Sequence, residues 1–185
     1  MKTLIINGSP RKNGFTAALT GRLRELLDGD VDIVETYRAK VSPCMDCRYC
    51  WTHPNCVLQD AMQDIYTKIE AADNIVIASP INFAELTGSL LSWASRLQLY
   101  WVAKYIRNED LWSGKNKYGA VILVDGGGGL KDIALGTAKR LLREMGAKFK
   151  DFVYFSGTDE NDPLSDETTL NGLDNIAAVL NSAVR

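Results

Sequence analysis

Four cysteines, all the cysteine in this 185-residue chain, fall between positions 44 and 56 in the pattern Cys44-x2-Cys47-x2-Cys50-x5-Cys56. Thiolates spaced this closely can wrap around one cubane, and ligation by four cysteines is what a [4Fe–4S] cluster requires. Structural zinc favours two ligand pairs separated by a longer span, which this segment lacks. A secreted disulfide framework would spread its cysteines to close large loops, so bunched cysteines speak for metal or redox chemistry. Cluster, zinc and metal-free thiols stay open on spacing alone. His53, the only histidine, lies in the five-residue spacer ahead of Pro54 and reads as a surface or spacing residue. Nothing else resembles a Ser/His/Asp or Cys/His set, so no catalytic side chain is assigned. Asp60 and Asp64 read as helix-favouring charges in the N-terminal half of a helix rather than as metal ligands.

The elements that must position this segment read in order along the chain. Lys2–Asn7 is a continuous apolar run, as expected of a strand covered on both faces. Asn13–Leu27 carries apolar residues at helical spacing and closes at Asp28-Gly29. Val31–Thr36 alternates as a second strand, and a helix from about Gln59 to Ala72 follows the cysteines. Asn74–Ser79 is a third strand, stopped by Pro80, and Thr87 to about Ile106 reads as one long helix. Tyr118–Val124 is a fourth strand, Leu130–Met145 a helix closed by Gly146, Phe149–Phe155 a fifth strand and Ser165–Val184 a last helix. Strands alternating with helices predict an α/β chain with a parallel sheet and helices on both faces. The whole of 1–185 reads as a single domain with a cysteine-rich insertion at about 40–58.

In such sheets ligands sit beyond the carboxyl ends of the strands, which singles out three loops. Gly8-Ser9-Pro10-Arg11-Lys12-Asn13-Gly14-Phe15-Thr16 leads from strand one into the first helix. Its backbone N–H groups, its hydroxyls and Arg11 suit a phosphate. It is neither a GxGxxG fingerprint nor an ATP-type loop; the plain alternative is a solvated turn capped by Asn13 or Thr16. Pro80 to Thr87 follows strand three, and the alternative there is simple strand-to-helix punctuation. Asp125 and the four glycines Gly126–Gly129 follow strand four. Glycines cost conformational entropy, so this run marks either close approach to a ligand or a mobile loop.

Ile6-Asn7-Gly8-Ser9-Pro10-Arg11-Lys12-Asn13-Gly14 with Thr16 resembles the opening of the NAD(P)H-dependent FMN reductase family and its flavodoxin-fold relatives. The resemblance covers strand one through the fourth helix. It implies a flavodoxin-like three-layer sandwich with a five-stranded parallel sheet in the order 2-1-3-4-5. It implies FMN as cofactor, with Ser9, Arg11, Asn13, Gly14 and Thr16 at the phosphate. Pro80, Ile81, Asn82, Phe83, Ala84 and Glu85 would lie along the ring, their backbone N–H groups facing its carbonyl oxygens, and Gly126 and Gly127 would border it. Asn82 stands where the family often has an aromatic residue, and Phe15 where a polar one is expected. NAD(P)H would be the electron donor and a quinone, free flavin or other small molecule the acceptor. The cysteine spacing resembles the compact motif of archaeal and anaerobe iron–sulfur flavoproteins. That resemblance implies Cys44, Cys47, Cys50 and Cys56 as ligands of a [4Fe–4S] cluster, and an electron carrier fed by ferredoxin as the alternative activity.

Trp93, Leu97 and Trp101 share one face at helical spacing, amid Tyr100, Tyr105 and Trp112. Aromatic density of this kind suits core packing and also subunit interfaces, and a homodimer or homotetramer is expected. The formal net charge of −2, without a local basic run, argues against nucleic acid and anionic membranes as partners. The apolar start is too short for a signal peptide or a membrane span, so a cytoplasmic protein is expected.

Overall fold

The computed structural model describes residues 1–112, 114–128 and 130–182. Gly129 and Val184, which the sequence reading placed in the glycine run and at the end of the last helix, lie outside them. The strands are β1 (Lys2–Asn7), β2 (Asp30–Glu35), β3 (Asn74–Asn82), β4 (Glu85–Leu86), β5 (Lys117–Asp125) and β6 (Ala147–Ser156). The helices are α1 (Phe15–Leu26), α2 (Met62–Ala71), α3 (Gly88–Ala94), α4 (Gln98–Tyr105), α5 (Lys131–Glu144) and α6 (Glu167–Asn181).

The sheet runs β2-β1-β3-β5-β6. All four neighbouring pairs are parallel, with registers such as Ile5↔Ile33, Ile5↔Val76 and Val76↔Ala120. This is the expected 2-1-3-4-5 order for the long strands; the numbering differs because the two-residue β4 folds back antiparallel on the end of β3.

Side chains alternate across the strands, and the core divides accordingly. Leu4, Ile6, Ile75, Ile77, Val121 and Leu123 face α2, α3, α4 and α5, where Ile69, Leu90, Tyr100 and Leu142 meet them. Ile5, Val76, Ala78, Ala120 and Ile122 face the other way, onto Leu19 and Leu23 of α1 and Leu173 and Ile176 of α6. Three layers result, with the central strands dry on both faces. β2 is an edge strand, and only its Val34 is buried.

Two expectations are corrected. The helix expected over Thr87–Ile106 is broken: Ser95–Leu97 winds as a 3₁₀ turn between α3 and α4. Here Ser95 Oγ donates to Ser92 O at 2.6 Å and the Arg96 side chain turns inward to Asp60. The tighter winding rotates α4 relative to α3. Trp93 and Leu97 are therefore buried while Trp101, expected on their face, is 39% exposed. The second correction concerns Pro80–Thr87, which is a hairpin rather than an open loop. Ile81↔Leu86 and Asn82↔Glu85 pair across a two-residue turn.

Candidate flavin site and the cysteine cavity

The carboxyl ends of β1, β3 and β5 converge on a cavity of about 220 Å³. Its lining brings together Ser9, Arg11, Gly14 and Thr16 from the first loop, Pro80, Ile81 and Asn82 from the second, and Gly126 from the third. Phe15 joins them as an apolar wall. Asn13, Phe83, Ala84, Glu85 and Gly127, also expected at the ligand, do not line the cavity.

The first loop is shaped to accept an anion. Gly14 is the N-cap of α1 in an extended conformation, no side chain caps the helix, and its first turn holds no acid. Neither Asn13 nor Thr16 plays the capping role of the plain alternative. Open N–H groups and the positive end of the helix dipole therefore meet the cavity together. Ser9 is buried and already organised: its N–H donates to Asn7 Oδ1 at 2.8 Å, and its Oγ accepts from Arg11 N–H at 3.2 Å. Arg11 itself is exposed.

The hairpin is locked to this loop through Thr87. Its Oγ1 donates to Gly8 O at 2.7 Å and accepts from Leu90 N–H at 3.4 Å, capping α3, while Gly8 N–H donates to Ala78 O at 2.7 Å. Gly8 is tightly packed: a Cβ there would lie 3.0 Å from Leu90 Cδ2 and 3.1 Å from Ser79 Oγ, so these side chains would have to shift to admit one. At the hairpin tip Phe83 (φ 52°) and Ala84 (φ 66°) both adopt the left-handed conformation that a type I′ turn needs. Neither is glycine or asparagine, so the turn is strained. Phe83 projects fully into solvent. The backbone donors expected over 81–87 are partly spent: Leu86 N–H is held by Glu85 Oε1 at 2.8 Å and Thr87 N–H by Ser79 Oγ at 3.3 Å.

A fourth loop, which sequence reasoning missed, completes the wall. Thr158 and Asp159 line the cavity from beyond β6. Gly157 N–H and Thr158 N–H both donate to Asp125 O, at 3.0 and 2.9 Å, which ties this loop to β5. The Asp159 carboxylate lies against Gly126, where any Cβ would collide with it. The same carboxyl-edge rule applies to Ser156-Gly-Thr-Asp159, so the signal was available. Asp125 is buried and satisfied, accepting from Tyr154 Oη at 2.6 Å and Ser156 Oγ at 2.7 Å. Burial, and then the bond to Asp125, pushes the Tyr154 hydroxyl pKa up. The cavity is thus polarised, with cationic and N–H donors on the α1 side and a carboxylate on the Gly126 side. A molecule with a phosphate at one end and a neutral heterocycle at the other fits that polarity.

The cysteines form a separate site. Cys44, Cys47, Cys50 and Cys56 line one cavity of about 30 Å³, walled by Tyr66, Leu99 and Val57. All four are free thiols. Asp46 (φ 50°) and Arg48 (φ 60°) are left-handed, one in each two-residue spacer, which curls the chain between successive cysteines; Cys47 is exposed and the other three are partly buried. Among the described residues, no three His, Cys, Asp or Glu side chains lie close enough to hold a single metal ion. The donor set and the curled backbone suit a cubane, which spreads its ligands over four irons; the cavity must widen to admit one. Burial pushes the Cys50 thiol pKa up, a backbone hydrogen bond offsets part of this, and charge on Cys44 and Cys56 adds to it.

Two arginines brace the segment. Arg107 donates from Nη1 to Cys50 O and makes a two-bond pair with Glu109, each bond 2.7 Å, which holds the Glu109 carboxyl below its ordinary range. Arg96 donates to Ser42 O at 2.9 Å and to Asp60 Oδ2 at 2.7 Å. Asp60 is therefore a brace for the segment's end. Sequence reasoning missed both arginines, because the groups they hold in the cysteine segment and its flanks lie tens of positions away.

Comparison with known proteins agrees with this geometry. Residues 1–158 match the family model described as NADPH-dependent FMN reductase. An iron-sulfur flavoprotein from Archaeoglobus fulgidus is 29% identical over 149 residues, 79% of this chain and 64% of that protein. One from Methanosarcina thermophila is 32% identical over 129 residues, 68% of this chain and 64% of that protein. The matches thus span just under two thirds of these relatives' length. Among solved structures, an FMN-dependent NADH-azoreductase from Bacillus anthracis in complex with FMN superposes with a TM-score of 0.68. At 16% identity, covering 98% of this chain and 100% of that one, it shows the shared flavodoxin-like fold. The family match covers most of the chain and runs through all four loops of the cavity except the last residue of its lining, and the chain belongs to the NADPH-dependent FMN reductase family.

Proposed function

We propose that the protein, acting as one unit over 1–185, is an FMN-dependent oxidoreductase that draws electrons from NAD(P)H and delivers them to a small acceptor such as a quinone or free flavin. The observation that carries this is the cavity at the carboxyl edge, where an uncapped α1 meets the β3–β4 hairpin and Gly126. Bound FMN supplies the redox chemistry, taking a hydride equivalent and releasing electrons in pairs or singly. The protein's part is placement. Ser9, Thr16, Arg11 and the N–H groups opening α1 hold the phosphate, with Asn13 at the rim. Repulsion from Asp159 keeps the phosphate on the α1 side and leaves the ring between Pro80–Asn82 and Gly126. Phe83, Ala84, Glu85 and Gly127 act from outside the lining: the strained tip sets the hairpin's pitch, and Gly127 (φ 148°) lets the chain turn away. No side chain of this site need exchange a proton.

A second reading is favoured by one observation, the four thiols around a single cavity. In it the chain carries a [4Fe–4S] cluster on Cys44, Cys47, Cys50 and Cys56 and receives electrons from ferredoxin. The names of the curated relatives support it. A homodimer or homotetramer in the cytoplasm accords with both readings. Exposed Trp101, Tyr105 and Ile106 on α4 and its end support the assembly, and unpaired thiols support the compartment.

The deciding experiment is the absorption spectrum of anaerobically purified protein with flavin, iron and sulfide analysis, followed by NADH and NADPH oxidation assays. Stoichiometric FMN with steady nicotinamide oxidation establishes the first reading. FMN with four irons and no nicotinamide oxidation establishes the second, and protein that binds no FMN ends both. Light scattering at micromolar concentration that returns the mass of one chain overturns the oligomer.

A further inference from the structure

Arg96 is the one arginine among the described residues whose side chain is almost completely buried, with 1% exposure. Its guanidinium joins the two flanks of the cysteine segment. Nη1 donates to Ser42 O, two residues before Cys44, and to Asp60 Oδ2; Nη2 reaches Leu58 O, two residues after Cys56, at 3.5 Å. Asp60 in turn accepts from Ser42 N–H at 2.9 Å. The third group of the fork, Nε–H, is buried and has no hydrogen-bond partner. A buried donor left without a partner is costly, and such a group calls for a specific explanation. Arg96 lines the same cavity as the four cysteines, together with the polar residues Asp46 and Gln98, and its guanidinium lies close enough to Cys56 for the two to interact electrostatically.

We propose that Arg96 Nε–H donates a hydrogen bond to sulfur of the cysteine-held cluster, on the Cys56 side, and that Asp60 fixes the guanidinium for this contact. The inference rests on the cluster reading above. Cys56 is singled out because Leu58, which Arg96 already holds, lies two residues beyond it. The chemistry is specific: thiolate and sulfide accept hydrogen bonds, and such bonds stabilise the reduced, more negative cluster and raise its potential. A lysine at this position keeps the charge but has no N–H at the Nε position and cannot span Ser42, Asp60 and Leu58 together.

The test uses the full-length protein, reconstituted anaerobically with iron and sulfide and retaining its FMN. Arg96→Lys is expected to bind the same iron and flavin as wild type, with a cluster midpoint potential shifted negative and an FMN potential unmoved. A cluster potential equal to that of wild type overturns the proposal. Should Arg96→Lys fail to fold by circular dichroism, wild-type protein labelled with ¹⁵N-arginine serves in its place. Its reduced cluster is expected to show a ¹⁵N hyperfine coupling that persists in Arg48→Lys and Arg107→Lys; no coupling, or its loss in either variant, overturns the assignment to Arg96. Wild-type protein that takes up no cluster overturns the cluster reading and this inference together, whereas a loaded wild type with an unshifted Arg96→Lys overturns this inference alone.

Discussion

Replacing Thr87 by valine probes whether the first loop and the hairpin act as one jaw. Valine matches threonine in shape, so no cavity opens, but two hydrogen bonds go. Gly8 O loses its 2.7 Å donor in a buried position, and α3 loses its cap, since Leu90 N–H no longer finds Oγ1. An orphaned buried carbonyl costs about 1–3 kcal/mol and a lost cap about 1 kcal/mol. Their sum, about 2–4 kcal/mol, with a urea slope of about 2 kcal/mol/M for a chain of this size, lowers the unfolding midpoint by about 1–2 M. Because Gly8 opens the anion loop, loosening it also weakens FMN. About 1.4 kcal/mol of re-ordering at that joint makes the dissociation constant about tenfold larger. Urea denaturation of the apoprotein and flavin-fluorescence titration measure the two effects. Thr87→Ser, which keeps the hydroxyl, should stay near wild type in both. A valine variant with an unchanged midpoint, or with lower stability and undiminished FMN affinity, would refute the coupling of the loops.

Arg11→Ala should weaken FMN by about tenfold or more, the worth of one charge-assisted bond of about 1.5–3 kcal/mol, and leave riboflavin affinity unchanged; equal losses for both ligands would move the phosphate elsewhere. Phe83→Asn combined with Ala84→Gly supplies the residues a type I′ turn prefers and should stabilise the protein by about 1 kcal/mol, which thermal unfolding would show as a higher Tm. Lys117 is buried at the start of β5, with Nζ donating to Ile69 O and to Glu70 O at 3.3 Å and lying 4.4 Å from the Trp112 ring. Burial, then repulsion from Lys115, lowers its pKa from the ordinary 10.5 to about 8. The unfolded chain therefore holds a proton between those values that the native state does not, so stability is lost as pH falls from 10.5 toward 8 and is flat below. Wild type minus Lys117→Met should show this slope in urea midpoints measured across that window, and parallel curves would disprove the depressed lysine.

Much of the fold was legible because its determinants are local. The dry strands over residues 2–7, 74–79 and 118–124 announce themselves as unbroken apolar runs, since a strand covered on both faces has no polar side to show. The position of the ligand edge follows from that alternation with helices, whereas the order of the long strands was implied by the family resemblance of the Gly8–Thr16 loop. The break in the 87–106 helix was not legible. Helical spacing there is good, and what tightens the chain at 95–97 is the pull of Arg96 toward Asp60, a partner 36 positions away. The hairpin at 81–86 was hidden for another reason, because Phe83-Ala84 is among the poorest sequences for a left-handed turn. Only the register of Ile81 on Leu86 forces it.

The cysteine spacing shows the same division. By itself the sequence determined that four thiols must stay within one short stretch of chain, because x2 and x5 spacers cannot carry them far apart. It determined likewise that Gly8–Thr16 would open a helix at the carboxyl end of the first strand, while the structure decided that no side chain caps it. The carboxyl-edge rule pointed to the loop after β6, but only tertiary structure decided that Thr158 and Asp159 wall the same cavity as Ser9 and Pro80, since their place depends on β6 lying beside β5. Tertiary structure also decided that a buried arginine from a distant helix turn would stand over the cysteines with one N–H unspent. Such pairings between segments far apart in the chain arise only when the packed layers bring them into contact, and no local pattern of residue types records them.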